Sequence, residues 1–156
     1  MNMTENLYTE ILPRLFIGGT EDHDIVTYPK ALSSLTSIPQ FDAVVTLYAY
    51  AQPMGWYVQE QRYGFADAEL DACTASRANG LADWLYGRWM EGDTVLARCQ
   101  AGWNRSGLVM ALVLIQAGYS PREAIDLLRE KRSPYALSNP DFEAYILQRQ
   151  PSRGVA

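Results

Sequence analysis

The chain has 156 residues, 48% of them hydrophobic, which is enough for one substantial core and too little for two comfortable domains. Its formal net charge of −5 argues against a nucleic-acid or anionic-membrane surface, because either partner requires a basic face. Two cysteines, Cys73 and Cys99, and a single histidine, His23, supply neither a disulfide framework nor a four-ligand zinc site. That points to a reducing cytoplasm and to chemistry without a metal or other cofactor.

Met1 to Arg14 carries Glu5 and Glu10 and no apolar stretch, so it does not read as a secretory signal. Arg14-Leu15-Phe16-Ile17 followed by Gly18-Gly19 predicts a short strand and a turn. A helix or irregular turn over 29–37 leads to Ala43–Leu47, a β-branched apolar run typical of a buried strand. A third strand is expected within 57–65, ending at Ala66-Asp67. Thr74 is positioned to cap a helix that carries Leu81, Trp84, Leu85 and Trp89 on one face and stops at Gly92.

Thr94–Ala97 is a short apolar strand, after which the chain turns through Gly102 into an apolar helix, Ser106–Ala117, halted by Gly118. The apolar run Leu108–Ile115 is eight residues long. A membrane helix needs roughly twenty, so this segment reads as core. Ser120-Pro121-Arg122-Glu123 combines a cap, a first-turn proline and a capping-box acid, opening a helix with Ala124, Ile125, Leu127 and Leu128 on its apolar face. Asn139-Pro140 starts the last helix, through Gln148. No repeat or low-complexity stretch interrupts the sequence. Strands alternating with helices predict one α/β domain over 1–156, with its core about 8–149 and a central sheet covered by helices.

The chemistry concentrates at the junction of strand, loop and helix between residues 94 and 117. Cys99-Gln100-Ala101-Gly102-Trp103-Asn104-Arg105-Ser106 curls its amides around one point at a helix N-terminus, where orphan N–H groups and the helix dipole favour an anion. Gly102 can take the positive φ that such a loop requires. Arg105 offers a planar, permanently charged fork for two phosphate oxygens. The same field favours the thiolate of Cys99, a nucleophile toward phosphorus, and Ser106 is placed to hydrogen-bond the sulfur. The leaving oxygen then needs a proton. Asp67, at the carboxyl end of a predicted strand, is the candidate acid, and it becomes the base that activates water in a second step.

Each residue also has a plainer reading. Cys99 is otherwise a small buried hydrophobe, Arg105 a helix-terminal ion-pair residue, and Asp67 part of a solvated acidic face with Glu69 and Asp71. Ser106 is a candidate N-cap. Cys73 is either a packed thiol, the better reading, or a redox partner of Cys99. Trp103 either packs against a neighbour or rims a pocket, and Tyr48, Tyr50 and Trp56 are either aromatic walls of that pocket or core residues. His23 has no visible partner.

Taken with these residues, Cys99 to Ser106 fits the CxxGxxRS loop of the protein tyrosine phosphatase superfamily and resembles most its dual-specificity branch. Arg14-Leu15-Phe16-Ile17-Gly18 is similar to that branch's opening strand, and Leu137-Ser138-Asn139-Pro140-Asp141-Phe142 to the segment before its last helix. The resemblance implies a mixed sheet of four or five strands with helices on both faces, a metal-free route through a phosphocysteine, and phosphomonoester hydrolysis. The implied partner is a phosphorylated protein carrying phosphotyrosine and also phosphoserine or phosphothreonine, met by a monomer. One position departs from the pattern: Arg98 stands where the branch has a histidine that orders the loop and tunes the thiol. Arg98 therefore predicts reduced or shifted activity while keeping a positive field near Cys99.

Rivals remain. A phosphoinositide or RNA 5′-phosphatase uses the same chemistry on more negative substrates, although Gln100, Ala101, Trp103 and Asn104 add no charge to the loop. Rhodanese-like and arsenate-reducing loops lack the GxxRS continuation and the upstream acid. A non-catalytic phosphate-binding module would hold a phosphorylated partner without turning it over.

Overall fold

A computed structural model describes residues 5–20, 26–27 and 40–150. In chain order these form strands β1 (Glu5–Asn6), β2 (Tyr8–Leu12), β3 (Leu15–Gly18), β4 (Val26–Thr27), β5 (Ala43–Thr46) and β6 (Gln59–Arg62), helix α1 (Ala72–Met90), strand β7 (Val95–Arg98), and helices α2 (Arg105–Gln116), α3 (Pro121–Lys131) and α4 (Pro140–Leu147). The helix or turn expected over 29–37 and His23 lie outside the described residues.

Five strands make one mixed sheet in the order β2-β3-β7-β5-β6, with only β2 antiparallel to its neighbour. Strand β7 is central because its side chains are all buried, and it lies parallel between β3 and β5. Strand β2 is not among the strands expected from sequence. Its hairpin turns at Pro13-Arg14 rather than at an Asn-Gly or Asp-Gly pair, and Arg14 itself takes a positive φ of 68°. Strand β6 is an edge whose four residues are all polar, which suits a strand paired on one side only.

The pleat sorts the sheet residues into two layers. Ala43, Val45, Val95 and Ala97 face the helical layer, where they join Leu85 of α1, the buried run of α2, Ile125 of α3 and Phe142 of α4. Val44 and Leu96 point the other way and meet Phe41, Val58 and the partly buried Tyr8, Phe16 and Met54. The architecture is thus three-layer α/β, with the central mixed sheet between the layer of α1 to α4 and the smaller apolar cluster under Val44 and Leu96.

Helix ends follow local chemistry with one correction. Ser120 and Glu123 form the capping box of α3, and Asn139 caps α4 by accepting from the Asp141 and Phe142 amides. Helix α1 is capped by Asp71, not Thr74: the Asp71 carboxylate accepts from the Thr74 amide at 2.7 Å. A carboxylate is the stronger acceptor near a helix N-terminus, and Thr74 falls in the first turn. Gly92, at φ 103°, ends the helix in the left-handed conformation that glycine takes freely.

Candidate active site

Parallel β3, β5 and β7 bring their carboxyl ends together, and the loop after β7 opens there. It is stitched to both neighbours: the Cys99 amide donates to the Gly18 carbonyl at 3.2 Å, the Thr20 amide to Gln100 at 2.9 Å, and the Leu47 amide to Arg98 at 2.9 Å. Gly102 has a φ of 78°, as its place in the loop required. A Cβ there would stand 2.6 Å from the Arg132 guanidinium and 2.7 Å from the Gly18 carbonyl, so close approach as well as backbone angle demands glycine.

Cys99 is buried at the floor of a cavity of about 370 Å³, which is also lined by Asp67, Gln100, Ala101, Trp103, Asn104, Arg105 and Ser138. Two groups meet its sulfur: the Gly102 amide donates to it at 3.3 Å, and the Ser106 hydroxyl lies 3.2 Å away in a hydrogen bond that either group can donate. Ser106 is inside α2 and fully buried, so the N-cap reading fails and the contact with sulfur stands. Arg105 donates from one terminal nitrogen to the Phe65 carbonyl at 3.1 Å, and its guanidinium lies 5.6 Å from the centre of the Tyr48 ring. Its Nε is buried with no hydrogen-bond partner among the described residues. A buried charged donor left unmatched is costly unless an anion completes it.

Asp67 is exposed, at the rim of the same cavity. Asn104 Nδ2 donates to one of its oxygens at 3.0 Å and Asn139 Nδ2 to the other at 2.7 Å. Leu137, fully buried, adopts a positive φ of 57° that redirects the chain toward this contact, and its amide donates to the Trp103 carbonyl at 3.0 Å. Trp103 stacks on Tyr135 at 5.0 Å, which joins packing and rim in one residue. Tyr48 accepts from the Gln100 side chain at 3.2 Å and makes an edge contact with the exposed Tyr50. Trp56 is not a wall of this pocket. The Gln59 amide bonds Asp42 at the start of β5, so Trp56 stands by the amino end of the strands, 96% exposed.

Arg98 differs most from expectation. Its neighbour Cys99 belongs to the helical side of the sheet, whereas Arg98 shares the opposite face with Val44, Thr46 and Leu96. There its Nε donates to the Thr46 hydroxyl at 3.0 Å, and a terminal nitrogen reaches the Gln52 carbonyl and, at 3.3 Å, the Glu60 carboxylate. Its charge is thus spent on Glu60, away from the sulfur. Burial pushes the Glu60 carboxyl up, but the Thr46 hydroxyl, the Met54 amide and Arg98 outweigh it and hold it below the usual glutamate range.

Arg132, which no sequence motif marks, braces the loop from behind. Buried at the end of α3, it donates to the carbonyls of Ala101 at 3.0 Å, Gly102 at 3.3 Å and Asn6, and to the Thr9 hydroxyl at 2.8 Å. No local pattern could have found it, because its partners lie up to 126 residues away in the chain. Cys73 is exposed at the start of α1 rather than packed, and both cysteines are free thiols. No described helix is long and apolar enough to cross a membrane.

No protein-family model and no curated protein sequence matches the chain. Solved structures do. Human DUSP28 superposes with a TM-score of 0.73 at 18% identity, covering 90% of each chain. A mouse putative dual specificity phosphatase, complexed with zinc tungstate, gives 0.70 at 20% identity over 91% of this chain and 87% of its own. The active form of Tk-PTP gives 0.68 at 25% identity over 91% and 94%. The likeness is one of fold: this chain has the three-layer architecture of dual-specificity and tyrosine phosphatases.

Proposed function

We propose that the chain is a cysteine-dependent phosphatase that hydrolyses phosphomonoesters on proteins, phosphotyrosine first and phosphoserine or phosphothreonine as well. The observation that carries the reading is the buried Arg105 Nε without a partner, in one cavity with the Cys99 sulfur and the Asp67 carboxyl. A bound phosphoryl group would satisfy that nitrogen and the amides of the loop together. The fold supports the reading because relatives in architecture are phosphatases.

In the first step the Cys99 thiolate attacks phosphorus. An S–P bond forms, the ester P–O bond breaks, and the leaving oxygen takes a proton from Asp67. Gly102 and Ser106 donate to the sulfur, and Arg105 holds the equatorial oxygens as charge spreads over them. In the second step water attacks the phosphocysteine while Asp67 takes its proton. The S–P bond breaks, releasing inorganic phosphate and the thiolate. Gln100, Ala101, Trp103 and Asn104 shape the loop without adding charge, which favours protein phosphoesters over phosphoinositides or RNA 5′ ends. The reading includes a single 1–156 domain working as a cytoplasmic monomer without a cofactor.

Turnover of para-nitrophenyl phosphate, with Cys99→Ser as control, tests the proposal. Hydrolysis by the wild type and none by the variant is expected. Tight binding of phosphopeptide without turnover at any pH would replace the enzyme with a phosphate-binding module, and preference for phosphoinositide or RNA substrates would move the substrate class.

A further inference from the structure

Asparagine is among the side chains most favoured for capping a helix N-terminus, and Asn104 occupies the N-cap of α2. It makes no side-chain capping bond, because its backbone is already helical, with φ −105° and ψ −59°. The side chain is turned out of the loop. Its Nδ2 donates to Asp67 at 3.0 Å and lies 3.4 Å from the Ser138 hydroxyl, while its Oδ1 accepts from the Asn139 amide at 2.9 Å. Asn139 in turn donates to the second Asp67 oxygen at 2.7 Å and to the Ala68 carbonyl at 2.9 Å. Asp141 extends the clasp by accepting from the Leu70 amide at 3.0 Å.

We infer that Asn104 is the positioning residue of the general acid: it belongs to the phosphate loop but acts through Asp67, holding the carboxyl over the leaving-group side of the cavity. The inference rests on the phosphatase reading above. Three features support it. Asn104 is buried whereas Asp67 is exposed, so the fixed partner sets the position of the free one. Two amide donors fix the carboxyl plane, yet each oxygen keeps a lone pair on which the transferable proton can reside. Diverting Asn104 also leaves the first amides of α2 without a cap from the N-cap side chain and therefore open to a phosphoryl group.

The experiment compares kcat/KM for two esters that differ only in how much they need an acid. Phenyl phosphate expels a strongly basic phenoxide; 2,4-dinitrophenyl phosphate expels a weakly basic one. Asn104→Ala and Asn104→Ser should lose about 10-fold to 100-fold on phenyl phosphate, the scale of a misplaced catalytic group, and far less on the dinitrophenyl ester. The ratio of the two values cancels any loss of folded protein. In the Asp67→Asn background, Asn104→Ala should cause little further loss, because its route to the reaction is already closed. A ratio unchanged from the wild type overturns the inference and leaves the phosphatase reading standing. No turnover of either ester by the wild type overturns both.

Discussion

Arg98 and Cys99 are consecutive in the chain and serve opposite faces of the sheet: the sulfur meets Gly102 and Ser106, and the guanidinium meets Thr46 and Glu60. Alternation of side chains along β7 enforces that division. The residue that replaces the histidine of similar loops therefore acts on the 47–58 connection, whose Gln52 and Met54 backbone groups bond Arg98 and Glu60.

Arg98→His should weaken folding more than chemistry. An imidazole is too short to reach Gln52 and Glu60, so a largely buried carboxylate loses one of its two paired cations, Arg62 being the other. The expected loss is about 1–3 kcal/mol, reduced from the full cost of a broken buried pair because Thr46, Met54 and Arg62 still serve Glu60. Denaturant unfolding measures it. Turnover per folded molecule should persist with the same pH profile; a reshaped profile would restore a tuning role to residue 98.

The same carboxylate makes stability depend on acid. Glu60 is held below the usual glutamate range when folded, so its contribution is present above about pH 4.5, the ordinary value, and is lost as pH falls through the folded value. Unfolding midpoints followed downward from neutral pH should drop more steeply for the wild type than for Glu60→Gln. Parallel curves would remove Glu60 from the acid response.

Arg105→Lys should reduce kcat on an aryl phosphate about 10²- to 10³-fold, the usual loss of one transition-state donor. Lysine keeps the charge but neither the fork nor the Nε that is unmatched in the cavity. Near-native turnover by the lysine variant would show that charge alone suffices.

Gly102→Ala should damage loop and fold together. The added methyl must meet Arg132 and the Gly18 carbonyl at a φ of 78°, and the strain is on the order of 1–3 kcal/mol. Loss of phosphate protection against thermal unfolding, beyond the lowered midpoint itself, is the expected readout. An alanine variant that phosphate stabilises as well as the wild type would show that the loop tolerates the methyl group.

Much of the site could be read directly from sequence because it is local. The interval from Cys99 to Arg105, the glycine between them, and the helix that follows are fixed by backbone geometry over a few residues, as are the caps at Ser120 and Asn139. Asp71 and Thr74, three residues apart, can both cap a helix, and the carboxylate of Asp71 prevails. Tertiary structure alone decided what lies between segments. It set Arg132 behind the loop, paired Arg98 with Glu60 across three strands, and turned Asn104 from its helix toward Asp67. Those side chains are polar, and each could satisfy its hydrogen bonds in several ways. Which partner each one met depended on the packing of β5, β6, β7 and α3, which no local stretch of sequence encodes.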